Sequence, residues 1–296
     1  MSPRAGDGQT GMSERFTGQV ALVTGAARGQ GRSHALRLAR EGADVIALDI
    51  CHDIDTVAYD LARPADLAET ARLVEEQDRR CRTAEVDVRD AASLTAAVRE
   101  AVAALGGLDV VVANAGIGIM RDAVDPGADG AAAFRDQLDV NLTGVWNTVQ
   151  ATAPVLIEQG RGGAVVLTSS AFGLTGRGGD GTGGSDGYVA SKHGVVGLTR
   201  TFATWLGPRG IRVNCVNPSG VATRMVQNPA VEKLFGGGAD GGADGGAKPV
   251  DDVANLFDVA LVEPEDVTAA VAFLASSEAR YVTGVALPVD AGMLVR

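Results

Sequence analysis

The chain has few cysteines and few lysines, and it contains no long apolar run. Its three cysteines are widely spaced and odd in number, so neither a disulfide framework nor a zinc site is indicated. No stretch approaches the roughly 18 apolar residues of a membrane span, and the N-terminus has no hydrophobic segment of signal-peptide type. We therefore expect a cytoplasmic protein with no membrane partner.

Lysine occurs only at positions 192, 233 and 248, although the chain carries 26 Lys and Arg residues together. The formal net charge is -11 and the isoelectric point is near 4.8. Nucleic-acid binding needs clustered cations, and the sequence shows no such cluster. We therefore expect a small-molecule partner and no nucleic acid, and the rare Lys192 becomes a candidate for a specific role.

Short apolar runs rich in Val alternate with longer segments of helical period from Gln19 onward. The runs that predict strands are QVALVTG, ADVIALD, RTAEVDV, LDVVVANAG, GAVVLTSS, IRVNCVNP and GVALPVD. This alternation predicts a single α/β domain, a Rossmann-type doubly wound parallel sheet of about seven strands with helices on both faces. Ligands of such sheets bind outside the carboxyl ends of the strands, which is where every motif described below falls.

The domain is predicted to span residues 17–296, after a flexible N-terminal extension over residues 1–16. Three segments interrupt the regular pattern, near 51–66, 178–187 and 236–247. Loops of this length in a compact domain are usually functional covers or disordered insertions. Composition alone favours disorder for the two glycine-rich segments.

Three glycines follow the first predicted strand, in VTGAARGQGRSHA, and a helix begins there. Gly25, Gly29 and Gly31 would let backbone N–H groups approach a pyrophosphate, whose charge the helix N-terminus then meets. Arg28 and Gln30 lie between these glycines and are further candidate contacts to a nucleotide. The spacing differs from the commoner G-x-G-x-x-G fingerprint, so its context has to support the assignment.

The acidic residue at the end of the second predicted strand supplies that context. The carboxylate of Asp49 can accept hydrogen bonds from the adenosine ribose hydroxyls and would repel a 2′-phosphate, which favours NAD over NADP. Arg28 and Arg32 point the other way, because a cation near the ribose suits a phosphate. We give Asp49 the greater weight; a solvated acid at a strand end is the alternative.

Further candidates end the third and fourth predicted strands. Asp87 would accept from the adenine amino group while Val88 packs on the ring, and the turn of Asn114, Ala115 and Gly116 would let the cofactor lie against backbone. Each residue taken singly is equally typical of an ordinary strand-end turn. Their occurrence together is the argument for a nucleotide site.

A Tyr-x-x-x-Lys pair, Tyr188 and Lys192, lies on one face of a helix predicted to end at Gly207-Pro208. A phenol has a pKa near 10, and an ammonium one turn away is expected to lower that pKa toward the range useful for acid–base catalysis. Ser170 could hold the substrate oxygen, and Asn141 could fix a water that passes the proton to solvent. The alternatives are a surface tyrosine–lysine pair and an asparagine at a buried helix kink; the order of all the motifs favours one active site.

The chain resembles the short-chain dehydrogenase/reductase family over nearly all of residues 17 to 292. The motifs that carry the resemblance are TGAARGQG, DVRD, NAG, NLTG, TSS, YVASK, NPSGVAT and YVTGVALPVDAG. The resemblance implies direct hydride transfer to or from nicotinamide C4, no metal and often a homotetramer. It implies a catalytic tetrad of Asn141, Ser170, Tyr188 and Lys192, in which Lys192 also contacts the nicotinamide ribose. It also implies carboxamide contacts from Val221 and Thr223, and a wall of the nicotinamide pocket from Pro218.

A narrower resemblance is to the carveol-dehydrogenase-like branch, whose members are associated with the redox peptide cofactor mycofactocin. In that branch the segment after the second strand is thought to cover the nucleotide, so that NAD(H) stays bound and an external acceptor recycles it. Residues 51–66 match this segment, and their apolar groups are suited to pack over the adenosine half. Those groups are Ile54, Val57, Tyr59 and Leu61. A plain surface loop is the alternative.

The chain departs from the family in the long spacing between Ser170 and Tyr188. The glycine-rich segment 178–187 fills this spacing, either as a loop at the substrate entrance that orders when substrate binds or as inert padding. The same two readings apply to residues 236–247.

The resemblance and the candidate pocket favour an apolar, terpenoid-like secondary alcohol or its ketone as substrate. The candidate pocket walls are Ile117, Ile119, Met120, Phe172, Leu174, Val221, Met225, Leu234 and Phe235. Three hypotheses follow: an enzyme coupled to a mycofactocin-type acceptor, an ordinary dehydrogenase that exchanges NAD freely, and a nucleotide-binding redox sensor without turnover.

Overall fold

A computed structural model describes residues 14–125, 127–231 and 255–296 of the chain. Seven parallel strands form one sheet in the order β3-β2-β1-β4-β5-β6-β7. The strands are β1 Val20–Thr24, β2 Asp44–Asp49, β3 Cys81–Glu85, β4 Val110–Ala113, β5 Gly163–Thr168, β6 Ile211–Pro218 and β7 Ala286–Val289. The predicted doubly wound sheet is confirmed, with every predicted strand in place.

Helices cover both faces of this sheet. They are α1 Gly29–Arg40, α2 Pro64–Glu75, α3 Ala91–Leu105, α4 Gly130–Leu138, α5 Gly144–Gln159, α6 Gly183–Leu206 and α7 Pro264–Ala275. Along β1, Ala21 and Val23 pack with α1, α2 and α7, whereas Val20 and Leu22 pack with α3, α5 and α6. Alternating strand residues therefore supply two separate cores, as the period of a β-strand requires.

The folded domain begins earlier than predicted. Of the predicted N-terminal extension, residues 1–13 lie outside the described residues, but Phe16 is completely buried against the core that contains α1. Arg15 donates to the Glu41 carboxylate at the end of α1 and to Glu278. The prediction of flexibility is therefore wrong for the last residues of this segment, because an aromatic anchor and an ion pair hold them.

The prediction of disorder is also wrong for the first glycine-rich segment. Helix α6 begins at Gly183, inside that segment, and Thr182 is its N-cap. An added Cβ at Gly183 would overlap the carbonyl oxygen of Gly130, where α4 begins. Gly183 therefore allows α4 and α6 to pack closely, although the glycine content of this segment suggested flexibility. The second glycine-rich segment, 236–247, lies outside the described residues.

No helix in the described part of the chain is long and apolar enough to span a lipid bilayer.

Candidate active site

The glycine turn after β1 has the geometry that its sequence predicts. Gly25 has a φ of +65° and packs so tightly that an added Cβ would lie 2.8 Å from the Cα atom of Ala115. An added Cβ at Gly31, in the first turn of α1, would overlap the carbonyl oxygen of Gly25. Side chains are therefore excluded at Gly25 and Gly31, where the backbone of the turn lies close to the N-terminus of α1.

A cavity of about 450 Å³ lies at the carboxyl ends of β1, β2, β3 and β4. It brings together most of the predicted nucleotide contacts from separate loops. Those that line it are Gly25, Arg28, Gly29, Gln30, Gly31, Asp49, Asp87, Val88, Asn114, Ala115, Gly116 and Thr223. Pro218 and Val221, which precede Thr223 in the chain, are buried but do not line this cavity.

Asp49 is buried at the end of β2 and is held by backbone donors. Its Oδ2 accepts from the Ala27 N–H at 2.9 Å and its Oδ1 from the Cys51 N–H at 3.3 Å. Burial raises the pKa of Asp49, while these hydrogen bonds and the Arg28 charge oppose the rise. The alternative of a solvated strand-end acid is therefore wrong, since the side chain belongs to the cavity wall.

The two arginines of the glycine turn differ in what they are free to bind. Arg32 is occupied, because it donates to the Thr70 hydroxyl and to the carbonyl oxygens of Ala27 and Asp66. Arg28 donates through Nη2 to the Asp60 carbonyl oxygen at 2.6 Å, and its buried Nη1 has no partner among the described residues. Arg28 therefore has a buried guanidinium nitrogen left for a polar ligand in the cavity.

Gln30 provides a second buried polar atom without a partner among the described residues, its Oε1. Burial lowers the pKa of Arg28 from its usual value, so this cation is held in a desolvated place. Unpartnered buried donors and acceptors cost free energy, and both residues line the cavity. A ligand that offers anionic oxygens to Arg28 and a hydroxyl donor to Gln30 would satisfy them, which fits a dinucleotide.

The loops after β3 and β4 are fixed mainly by internal contacts. Asp87 forms an ion pair with Arg89 at 2.7 Å, and Val88 packs against Gly144. The Asn114 side chain donates to the Thr24 carbonyl oxygen at 3.1 Å and so joins β4 to β1. These residues line the cavity while also stabilising its edge, and their proposed cofactor contacts stay predictions.

Lys192 and Tyr188 lie side by side on α6, near the end of β5. The Lys192 Nζ is buried, donates to the Thr168 carbonyl oxygen at 3.0 Å and lies 5.5 Å from the centroid of the Tyr188 ring. Thr223, from the loop after β6, lies against Gly29 and closes the cavity on the far side of the glycine turn. Thr223 lines the cavity, whereas Lys192 and Tyr188 are not among the residues that line it.

The pKa values of this pair differ from the expectation. Burial raises the pKa of Tyr188, while a hydrogen bond from Ser170 opposes the rise. Burial lowers the pKa of Lys192 to about 8. The net shift of the Tyr188 pKa is therefore upward and not the predicted lowering, and desolvation is its largest cause.

Asn141 lies in a π-helical turn, Asp139–Thr143, between α4 and α5. Its Oδ1 accepts from the Ile117 N–H at 2.8 Å, and its Nδ2 donates to the Ile117 carbonyl oxygen at 2.9 Å and to Gln137. An added Cβ at Gly116 would lie 3.1 Å from Asn141 Oδ1 and 3.6 Å from Lys192 Nζ. Gly116 thus lies beside both candidate residues and lines the cavity as well. Because π-helical turns are frequent at functional sites, the buried helix kink at Asn141 is compatible with its predicted catalytic role.

Sequence reasoning missed two supporting amides. Asn217 is completely buried in β6, and its side chain donates to the Ser170 carbonyl oxygen at 2.9 Å. Gln137 accepts from Asn141 and donates to the Gly118 carbonyl oxygen at 2.9 Å. A polar residue inside an apolar strand or helix was the available signal, because a buried amide needs partners.

The connection at 51–66 is part of the site. Ile54, Val57 and Leu61 are buried with residues from the loop after β4, and Val57 pairs with Met120 in an isolated antiparallel bridge. The Tyr59 hydroxyl accepts from the Gly118 N–H at 3.2 Å. The alternative of a plain surface loop is therefore wrong. Ile54, Tyr59 and Leu61 also line the cavity.

Comparison with known proteins agrees with this arrangement. A family model described as enoyl-(acyl carrier protein) reductase matches residues 25–294. The chain is 48% identical over 286 residues to a putative short-chain type dehydrogenase/reductase of Mycolicibacterium smegmatis, covering 96% of this chain and 100% of that protein. It is 44% identical over 282 residues to the (-)-trans-carveol dehydrogenase of Rhodococcus erythropolis, covering 95% and 99%. The crystal structure of carveol dehydrogenase from Mycobacterium avium in complex with NAD superposes with a TM-score of 0.85 at 49% identity, covering 95% of this chain and 99% of that chain.

Proposed function

The chain belongs to the short-chain dehydrogenase/reductase family and is an NAD-dependent oxidoreductase, and from this premise we propose that it interconverts an apolar, terpenoid-like secondary alcohol and its ketone. The observation that carries the proposal is the position of Tyr188 and Lys192. The Lys192 Nζ would lie 3.6 Å from a Cβ added at Gly116, which lines the nucleotide cavity, and Tyr188 lies beside Lys192 on α6. The likeness to two carveol dehydrogenases supports the class of substrate.

Proton transfer is assigned to residues of this chain. In alcohol oxidation the Tyr188 phenolate takes the hydroxyl proton of the substrate, and the Ser170 hydroxyl donates a hydrogen bond to the same oxygen. Lys192, fixed by the Thr168 carbonyl oxygen, supplies a positive charge that favours the phenolate. Asn141 fixes a water that returns the proton to solvent. In ketone reduction these proton transfers run in reverse.

The residues of the cavity fit NAD. The glycine turn and the N-terminus of α1 hold the pyrophosphate, and Asp49 accepts from the ribose hydroxyls. Arg28 Nη1 and Gln30 Oε1, which have no partner among the described residues, would bind polar groups of the nucleotide. When bound, NAD supplies the acceptor or donor for direct hydride transfer. Pro218, Val221 and Thr223 are assigned to the nicotinamide end, with Asp87 and Val88 at the adenine.

Residues 51–66 retain the nucleotide between turnovers. Support comes from the burial of Val57 and Leu61 and from three hydrogen bonds that join this connection to the loop after β4. Arg28 contributes a further link, because it binds the Asp60 carbonyl oxygen. A nucleotide that cannot leave needs an external acceptor for its electrons, and a mycofactocin-type acceptor is proposed for that role.

A homotetramer is proposed as the assembly. Several large apolar side chains are exposed on the outer helices and near the C-terminus, namely Trp146, Trp205, Phe273 and Tyr281. Surfaces of this kind support association between copies. The cytoplasmic location stays a prediction.

The nucleotide content of the purified protein tests this proposal. The protein is desalted extensively, and nucleotide is measured by absorbance and enzymatic assay before and after denaturation. Near-stoichiometric NAD(H) released only on denaturation supports the retained cofactor. A protein that is empty after desalting and turns over with added NAD contradicts retention and leaves an ordinary dehydrogenase that exchanges NAD freely.

A further inference from the structure

The aromatic ring of Phe172 lies between the two candidate catalytic hydroxyls and the glycine-rich segment. Its backbone N–H donates to Ser170 Oγ at 3.2 Å, and its ring meets the Tyr188 ring edge-on, with centroids 6.5 Å apart and an interplanar angle of 85°. Phe172 therefore contacts both hydroxyl-bearing residues without belonging to the proton path. Its ring lies edge-on beside the ring of Tyr188, the residue assigned to the substrate proton.

Gly178 lies against the same ring. A Cβ added at this residue would lie 2.9 Å from Cγ and Cδ1 of Phe172 and 3.1 Å from Cδ2, so the glycine backbone approaches the ring face. The φ of Gly178 is +93°, a conformation that side chains rarely adopt. The site therefore has no room for a side chain at position 178 unless the Phe172 ring moves.

Hydrogen bonds hold the part of this loop that leads into the helix carrying Tyr188. The Gly181 N–H donates to Asp186 Oδ1 at 3.2 Å, and the Thr182 N–H donates to Asp180 Oδ1 at 2.9 Å. The Asp122 carboxylate accepts from the Gly184 N–H at 2.9 Å. Residues 180–182 are thus held by hydrogen bonds, and Gly178, which precedes them, contacts Phe172 through packing.

We propose that Gly178 and Phe172 together form a specificity wall, in which the glycine backbone sets the position of the aromatic ring and so the room beside Ser170 and Tyr188. The proposal rests on the proposed function and narrows its substrate class. The preferred substrate is a secondary alcohol on an apolar ring, which packs against the Phe172 side chain. The glycine-rich segment is then a determinant of specificity and not inert padding.

A matched pair of variants tests the wall. Gly178→Ala and Gly181→Ala both place a methyl group on a backbone of positive φ, but an added Cβ at Gly181 meets nothing within 4 Å. We expect Gly178→Ala to lower kcat/KM for carveol about tenfold or more, because lost room in an apolar pocket discriminates on that scale. For propan-2-ol, which needs little room, we expect about a twofold change at most in the same variant. Gly181→Ala should leave the ratio of the two substrates unchanged.

A second substitution distinguishes displacement of the Phe172 ring from a loss of folding in Gly178→Ala. Phe172→Leu in the Gly178→Ala background removes the atoms that the new methyl group would displace, so it should recover carveol activity relative to Gly178→Ala alone. Phe172→Ala, which needs no strained backbone, should raise kcat/KM for the bulkier alcohol borneol relative to carveol. A Phe172→Ala enzyme with an unchanged ratio of these alcohols would overturn the proposal even where Gly178→Ala does not fold.

The outcomes also separate this proposal from the one on which it rests. A wild-type protein that oxidises no secondary alcohol in the presence of an acceptor contradicts both the proposed function and the specificity wall. A wild-type protein that oxidises carveol, with the same substrate ratio in Gly178→Ala and Gly181→Ala, contradicts the wall alone.

Discussion

The Lys192 Nζ lies 5.5 Å from the centre of the Tyr188 ring and is held there by the Thr168 carbonyl oxygen. Both residues lie on α6, and the carbonyl oxygen at the end of β5 fixes the Lys192 Nζ. Both groups are desolvated, which raises the pKa of the phenol and lowers that of the ammonium to about 8. At neutral pH the neutral amine of Lys192 is therefore closer in free energy to its ammonium form than in water, whereas the phenolate of Tyr188 is further from its neutral phenol.

Ser170 is predicted to tune this balance. Its hydrogen bond lowers the pKa of Tyr188, so Ser170→Ala should move that pKa further upward. Alcohol oxidation uses the deprotonated phenol, and its rate rises with pH until Tyr188 is ionised. The pH profile of kcat for oxidation should therefore shift toward higher pH in Ser170→Ala, with a loss of about a hundredfold at neutral pH. Thr201→Ala, an exposed position on α6, is the control. An unshifted profile would contradict the role of Ser170.

Asp49 is predicted to select the nucleotide. Asp49→Ser removes the carboxylate that would repel a 2′-phosphate, so the preference for NAD over NADP should fall about tenfold or more, as measured by the two dissociation constants. Asp44→Ser is the matched control at the other end of β2, where the carboxylate pairs with Arg80. Equal effects of the two substitutions would show that Asp49 acts only through stability.

Tyr59 is predicted to hold the cover over the nucleotide. Tyr59→Phe removes the acceptor of the Gly118 N–H and leaves that donor without a partner, which costs about 1–3 kcal/mol for a buried group. The variant should therefore release NAD several-fold faster, measured as nucleotide retained after a timed desalting step. His52→Ala changes an exposed residue in the same connection and should release NAD at the wild-type rate. Equal release by both variants would contradict the assignment.

His34 is predicted to make the fold sensitive to acid. It lies on α1 and is completely buried against α7, with Nδ1 2.7 Å from Thr268 Oγ1, and burial lowers its pKa to about 3. The unfolded chain binds a proton near pH 6.5 while the folded chain does not, so stability is retained above that pH and falls below it. At about pH 5 the loss is about 2 kcal/mol.

Denaturant unfolding at about pH 7.5 and about pH 5 checks this, with His34→Gln as the comparison because glutamine does not titrate. The wild type should lose about 2 kcal/mol more than the variant between the two conditions. Equal losses would place the acid sensitivity elsewhere in the chain.

The sheet could be predicted from the sequence, but the role of glycine in the packing of α4 against α6 could not. Runs of valine identify strands buried on both faces, and the glycine turn, Asp49 and the pair of Tyr188 and Lys192 stand out by spacing. The start of α6 at Gly183 could not be predicted, since glycine is a poor helix former and the contact with Gly130 is remote in sequence.

The burial of Phe16 could not be predicted from the sequence for a similar reason. One aromatic residue in a polar segment carries no period, and its place in the core is decided by α1 and not by its neighbours. The pKa of Tyr188 was also beyond the sequence, because desolvation depends on how α6 packs at the end of β5. Local pattern therefore gave the elements and the chemical groups, whereas tertiary packing set their environment.

A single-turnover comparison of wild type with Tyr188→Phe tests the central claim most directly. Each protein, loaded with NAD, is mixed with carveol, and the bound NADH formed is followed by absorbance. We predict that the wild type forms NADH and that Tyr188→Phe retains NAD but forms NADH about a hundredfold or more slowly, because the proton acceptor is gone. NADH formation at the wild-type rate in Tyr188→Phe would contradict the assignment of Tyr188 as the acid/base.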